Sequence, residues 1–398
     1  MTREPCVRPL RIGVAGLGRA FTLMLPTLAG DPRVRLVAAA DPRAPARDLF
    51  SRDFAGPAFD TVDGLCERPE VEVVYVASPH QFHADHVCRL AAAGKHILVE
   101  KPLAISLDEC TRIVTAVEAA GVALVVGPSH SFDGPVQQAH RMLAGGELGR
   151  VRMVHAFNYT TFLYRPRRPE ELVTAQGGGV VFSQAAHQVD IARLLGGGRV
   201  KSVRGQVGAW DPERPTEGAY SALLQFDDGA FASVTYSGYA HYDSDELLGD
   251  VDEFGRDKAA GSYGAVRRRL SSVADAVSEA RTKTEKSYGG THYQPPAGPR
   301  AQHHPHFGHL LVSAEGADLR VTPDGVWVYS DDQRYFRETP LQAVPRSEVI
   351  DELWNSVREG KPPVHSARWG RATTEVCLGI LESARTGANI AMRFQVQP

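Results

Sequence analysis

The chain has 398 residues, 43% of them hydrophobic and 23% charged, the balance of an ordinary globular protein of two or three domains. A formal net charge of -3 and a pI near 6.6 give no electrostatic case for nucleic acid as a partner. No run approaches the roughly 18 apolar residues of a membrane span. The first residues, MTREPCVRPLRIGVAG, lack the apolar stretch of a signal peptide, and five scattered cysteines (Cys6, Cys66, Cys88, Cys110, Cys377) without a C-x-x-C pair read as reduced thiols. Together these features predict a cytoplasmic protein.

Residues 1–127 alternate strand and helix patterns. The apolar run Leu10–Ala15 closes on Gly16, residues 33–40 end at Asp41, and 71–77 (VEVVYVA) are almost continuously apolar, as a strand covered on both faces requires. A helical pattern over 84–93 stops at Gly94, and a short strand follows at 97–99. Ser106-Leu-Asp-Glu109 has the form of a capping box, opening a helix that Gly121 ends, and 122–126 give a last strand. The alternation predicts an α/β Rossmann domain over 1–127 with a doubly wound parallel sheet.

Beyond Gly127 the pattern changes. Strand-like segments at 151–159, 219–226, 231–239 and 319–329, with Asp227-Asp228-Gly229 as a hairpin signal, predict an α+β domain over 128–398 built on a large, mostly antiparallel sheet. Helical patterns over 347–359 and 372–384 close the chain. Residues 241–306 interrupt the strands as an insertion. It holds a helix-period run (Val266, Leu270, Val273, Val277) and then a Gly/Pro/His-rich stretch, and its length suits a lid, an oligomer contact or a mobile segment.

Gly16-Leu17-Gly18 follows the first strand and opens a helical pattern. Glycines there let the backbone approach a pyrophosphate resting on the free N–H groups of a helix N-terminus. Asp41 follows Gly18 by 23 positions, near the offset of about 20 at which an acid meets the ribose 2′-hydroxyl; a plain turn before Pro42 is the alternative. Arg43 could meet a 2′-phosphate. NAD is the expected cofactor, with NADP as the alternative.

Three further segments complete a pattern: Ser78-Pro79-His-Gln-Phe-His83, Glu100-Lys101-Pro102 after the strand at 97–99, and GGGVVFSQAAHQVD over 177–190. With the glycine loop they resemble the glucose–fructose oxidoreductase/inositol dehydrogenase (Gfo/Idh/MocA) family, along the whole chain apart from the insertion. The resemblance implies NAD(P)-dependent oxidation of a secondary alcohol. It implies that Lys101 and His187 are catalytic, and that Gly16, Gly18, Arg19, Asp41, Arg43, Ser78, Pro79, His83 and Glu100 serve the cofactor side. Strand ends of α/β sheets face the ligand crevice, so Lys101 is presented to it, and Pro102 stiffens the exit turn. The family carries an Asp four residues before the His. Ser183 stands there in this chain, so the proton route departs from the family's, and Asp190 is either its replacement or a structural helix residue.

The segment VVGPSHSFDGP over 125–135, which contains His130, is similar to a subgroup of phthalate 4,5-cis-dihydrodiol (dihydroxyphthalate) dehydrogenases. The expected substrate is therefore a cyclic diol or polyol, in particular a carboxylated cis-dihydrodiol. A sugar, inositol or glycoside dehydrogenase is the alternative, and a non-catalytic nucleotide-binding regulator on the same fold is a second. Arg165, Arg167 and Arg168 are the expected cations for a substrate carboxylate, against a solvated surface cluster as the bland alternative. His303, His304, His306 and His309 lack acid or thiol partners at metal-site spacing, so no metal is expected. The remaining expectations are a small-molecule cyclic alcohol as partner, neither nucleic acid nor membrane, and a homo-oligomer (dimer or tetramer) formed through the C-terminal sheet.

Overall fold

The structure, a computed structural model, describes residues 8–295 and 301–398. Cys6 and residues 296–300 of the expected insertion lie outside the described residues. Six strands, β1 (Leu10–Ala15), β2 (Val34–Ala40), β3 (Ala58–Phe59), β4 (Val73–Val76), β5 (His96–Val99) and β6 (Leu124–Val126), pair in parallel in the order β3-β2-β1-β4-β5-β6. The order reverses between β1 and β4, and ligands of such sheets bind beyond the strand ends at that point. Alternate residues feed two apolar layers. Ile12, Val14, Val73, Tyr75 and Leu98 join Phe21 and Met24 of helix α1 (Arg19–Gly30) on one side. Val74, Val76, Ile97 and Val99 join Ile113 and Val117 on the other. Burial on both faces is why these strands are continuously apolar in sequence.

The second sheet has nine strands: β7 (Val151–Tyr159), β8 (Val200–Gly208), β9 (Ala219–Phe226), β10 (Phe231–Ser237), β11 (His309–Ala314), β12 (Asp318–Thr322), β13 (Gly325–Tyr329), β14 (Arg334–Glu338) and β15 (Ile390–Ala391). Their order is β14-β13-β12-β11-β7-β10-β9-β8-β15, and only β7 and β10 run parallel among them. Gly229, at φ 90, closes the β9–β10 hairpin that the Asp-Asp-Gly signal predicts. The pattern over 319–329 reads as one strand but is a hairpin, turned at Pro323-Asp324 between β12 and β13. Strands β8 and β14 escape sequence reading because their exposed positions are charged or polar: Lys201, Arg204 and Gln206 in one, Arg334 and Arg337 in the other.

Among the described residues, the insertion enters neither sheet. Its helix-period run is broken into Ala265–Ser271 and Ala276–Glu285, the second opened by Asp275, whose carboxylate accepts the Ser278 N–H at 2.7 Å. Val277 is 76% exposed, so the run is not an apolar face. The last helices bridge the molecule. Ser347–Glu359 drives Val349, Ile350 and Leu353 into the first sheet's layer, while Ala367–Thr386 lays Trp369, Val376 and Ile380 under the second sheet.

Candidate active site

One long cleft runs from the ends of β1, β4 and β5 to the loops after β7 and the insertion. At its nucleotide end Gly16 adopts φ 99, and a Cβ there would stand 2.8 Å from the Ala77 carbonyl and the Ser78 nitrogen. Only glycine lets these two strand ends close up. A Cβ on Gly18 would meet nothing within 4 Å, so that residue faces open space at the start of α1, beside the exposed Arg19. This cradle fits a dinucleotide pyrophosphate. Ser78 and Pro79 also line the cleft, and the Ser78 hydroxyl lies 3.0 Å from His86 Nδ1.

Asp41 is buried where the second ribose would lie. Its carboxylate accepts the Leu17 N–H at 2.7 Å and the Arg43 Nε at 3.0 Å. Arg43 also donates to the Leu17 and Tyr288 carbonyls, at 2.9 and 3.3 Å. The arginine is thereby held against the acid and against the insertion rather than left free for a 2′-phosphate.

His83 is not on the cleft wall. It is fully buried, with Nδ1 3.0 Å from the Pro102 carbonyl and Nε2 2.9 Å from the Ser78 carbonyl, and burial pulls its pKa down to about 4. It works as a strut between the Ser78-Pro79 and Lys101-Pro102 turns, where the resemblance placed it on the cofactor side.

Lys101 leaves the end of β5 and donates from Nζ to the Ser183 carbonyl at 2.8 Å. Burial lowers its pKa to about 8, against the opposing pull of Glu100 and Glu253. Burial raises the Glu100 carboxylate, which accepts the Tyr75 hydroxyl from within the sheet. The carbonyl that Lys101 meets belongs to a π-helical turn, Val181–Ala185, an irregularity common at functional sites. The Ser183 hydroxyl itself turns away to the Gly179 carbonyl. Four residues on, His187 packs edge-on to His130 with ring centroids 4.8 Å apart and rests on Phe307 at 4.9 Å. Burial, then the charges of Lys101, His130 and Arg346, hold His187 well below its ordinary pKa. His130 Nδ1 lies 2.7 Å from the Asp133 carboxylate.

Asp190 points away from the cleft. It is buried, accepts the Trp369 indole N–H and the Ser131 hydroxyl, each at 2.5 Å, and sits beside Thr373. Ser131 also lies 2.8 Å from His365 Nε2, and Phe132 stacks on His365. Asp190 therefore anchors the loop that carries His130.

The arginine cluster is largely engaged. Arg165 pairs with Glu253 of the insertion, and although burial would raise that carboxylate, the arginine holds it at about 2. Arg167 stacks on Phe162 at 3.6 Å and donates to its carbonyl. Arg168 pairs with Glu170 at 2.9 Å. The histidines after the insertion are structural ties: His303 to Asp324, His304 to the Thr339 carbonyl and His306 to the Val251 carbonyl, while His309 stacks with Phe157 on β7. Glu253, Asp133, Tyr75 and Arg346 all belong to this neighbourhood without any motif that announces them.

Residues 10–128 match the family model described as oxidoreductase family, NAD-binding Rossmann fold, and residues 136–251 match the GFO/IDH/MocA C-terminal domain. The chain is 47% identical over 380 residues to the 1-carboxy-3-chloro-3,4-dihydroxycyclohexa-1,5-diene dehydrogenase of Comamonas testosteroni, covering 94% of this chain and 95% of that one. It is 30% identical to the scyllo-inositol 2-dehydrogenase (NAD(+)) of Bacillus subtilis strain 168, over 60% of this chain and 71% of the relative. A solved structure from Bordetella bronchiseptica RB50 superposes with a TM-score of 0.90 at 41% identity, covering 97% of this chain and 100% of that one. The chain belongs to the Gfo/Idh/MocA family of oxidoreductases and carries that family's NAD-binding Rossmann domain.

Proposed function

We propose that the protein oxidises a carboxylated cyclic diol of the dihydrodiol type, with Lys101 as the base that takes the alcohol proton. The observation that carries this is the lysine itself: a half-buried amine with its pKa pulled to about 8, presented at a strand end beside the NAD-binding loop. The diol-bearing, carboxylated ring in the name of the Comamonas testosteroni relative supports the substrate class.

Bound NAD supplies the hydride acceptor. Gly16, Gly18 and Arg19 would hold its pyrophosphate, Asp41 its second ribose, and Glu100 the nicotinamide side. Lys101 removes the hydroxyl proton of the carbinol, steadied meanwhile by the Ser183 carbonyl. The ring carbonyl so formed becomes part of a catechol only when the neighbouring carbinol C–H gives up its proton and the carbonyl oxygen gains one, which the protonated Lys101 returns. That second transfer needs another acceptor, and His187 with the adjacent His130–Asp133 pair supplies one. A neutral His187 suits this role, since an imidazolium could accept nothing.

The test is NADH formation on a panel of carboxylated dihydrodiols, neutral dihydrodiols, inositols and sugars. Turnover of carboxylated ring diols above the rest supports the proposal. Turnover confined to neutral polyols replaces it with the sugar reading. The unpaired Cys66, Cys88, Cys110 and Cys377 support a cytoplasmic setting, and the exposed Leu223, Phe231 and Phe336 on the second sheet support self-association there. Light scattering that finds only monomers would remove the oligomer.

A further inference from the structure

A carboxylate on the substrate ring needs a cation that the protein has not already neutralised. This inference rests on the carboxylated-substrate reading above and asks where that cation is. Arg165 and Arg168 face glutamates and Arg167 is folded onto Phe162, so the cluster nearest in sequence to the expected contact is engaged. Arg346 differs. It lines the cleft, and among the described residues its guanidinium makes no hydrogen bond or salt bridge. Arg19 is also without an ion pair there, but it follows Gly18 directly as the first residue of α1, beside the glycine cradle.

The position of Arg346 is held from two sides. The residue before it, Pro345, accepts the Thr27 hydroxyl of α1 at 2.7 Å, and the ring of Phe254 from the insertion lies 5.9 Å from the guanidinium. Arg346 itself adopts φ 55, a left-handed conformation unusual for any residue but glycine or asparagine. It lines the same cleft as Glu100, Lys101 and His187, and its charge bears on all three.

We propose that Arg346 is the anchor for the ring carboxylate, binding it through the two-pronged hydrogen bonding that guanidinium offers a carboxylate. The site discriminates by what it leaves unmet. An acid satisfies the guanidinium, whereas a neutral ring would cover the cation and leave it without a partner.

The test uses benzoate, a non-reacting aromatic carboxylate, bound to the enzyme–NADH complex and followed by NADH fluorescence. Wild type should bind benzoate. Arg346→Gln should weaken it about 10-fold or more, Arg346→Lys should recover part of the loss, and NADH affinity should stay within about twofold. Three results would overturn the assignment: no benzoate binding by wild type, equal affinity in Arg346→Gln, or a matching loss of NADH affinity, which would make Arg346 a cofactor residue. The substrate reading fails separately. If benzoate binds through Arg346 but only neutral polyols are oxidised, the anion site stands and the proposed substrate falls.

Discussion

The two walls of the cleft are built on different principles. The nucleotide wall is made of strand ends and main-chain contacts: Gly16 against Ala77, the Leu17 N–H on Asp41, and His83 pinned between two carbonyls. The facing wall is made of ion pairs between segments far apart in sequence. Glu253 meets Arg165 across 88 residues, Glu279 meets Arg214 across 65, and Lys283 meets Glu171 across 112. A backbone wall depends on local conformation and survives most side-chain changes. An ion-pair wall depends on both partners, and losing one leaves the other poorly solvated.

The contrast breaks most sharply at Lys101, where the two walls meet. Lys101→Ala should lower kcat by about 100-fold or more while NADH affinity stays within several-fold, as steady-state kinetics and fluorescence titration will show. In wild type the neutral amine is the active form, so kcat/KM for oxidation should climb with pH and level off above about 8. A profile flat from pH 6 to 9 would remove the lysine from the proton transfer.

Glu253→Gln probes the ion-pair wall. The pKa of about 2 lies below the ordinary carboxylate value of about 4.3, so the Arg165 pair adds stability above that ordinary value and loses it as pH falls through about 2. The variant should lose roughly 1–3 kcal/mol in urea unfolding at neutral pH, with Arg165 partly exposed and screened accordingly. It should also flatten the acid limb of stability. Asp41→Ser tests the opposite wall: Arg43 is released, and the ratio of kcat/KM for NAD over NADP should narrow by about tenfold. The smallest effect belongs to Ser183→Ala. Because Lys101 is held by the main-chain carbonyl, turnover should stay within about threefold of wild type; a larger loss would give the hydroxyl a role that its contact with Gly179 does not suggest.

The same division governs what the sequence made legible. The strand–helix alternation, the Ser106 cap and the Gly16 turn are encoded by neighbours a few residues apart, and each has one local solution. So is Lys101, because a strand end in a parallel sheet faces the crevice whatever else the chain does. Arg165, Arg167 and Arg168 were visible as donors, and Glu170 stands two residues from Arg168, but the acid that engages Arg165 is fixed only by the tertiary fold: Glu253 lies 88 residues on, in a segment without periodicity. His83 and Asp190 had legible spacing, yet burial turned one into a strut and the other into a loop anchor. Arg346 was silent, because a lone arginine before a helix carries no pattern.

The helix over 347–359 has a consequence for biosynthesis. Val349, Ile350 and Leu353 complete the apolar layer that begins with Leu10 and Ile12, and Arg358 clasps Glu72 beside them. The first sheet is thus translated early but lacks part of its covering until the helix over 347–359 leaves the ribosome. Through most of synthesis it carries an apolar flank that a chaperone, or premature association with another nascent chain, would find first. A chain cut before Arg346 would keep every glycine of the nucleotide loop and still lack part of the apolar layer beneath the strand that leads into it.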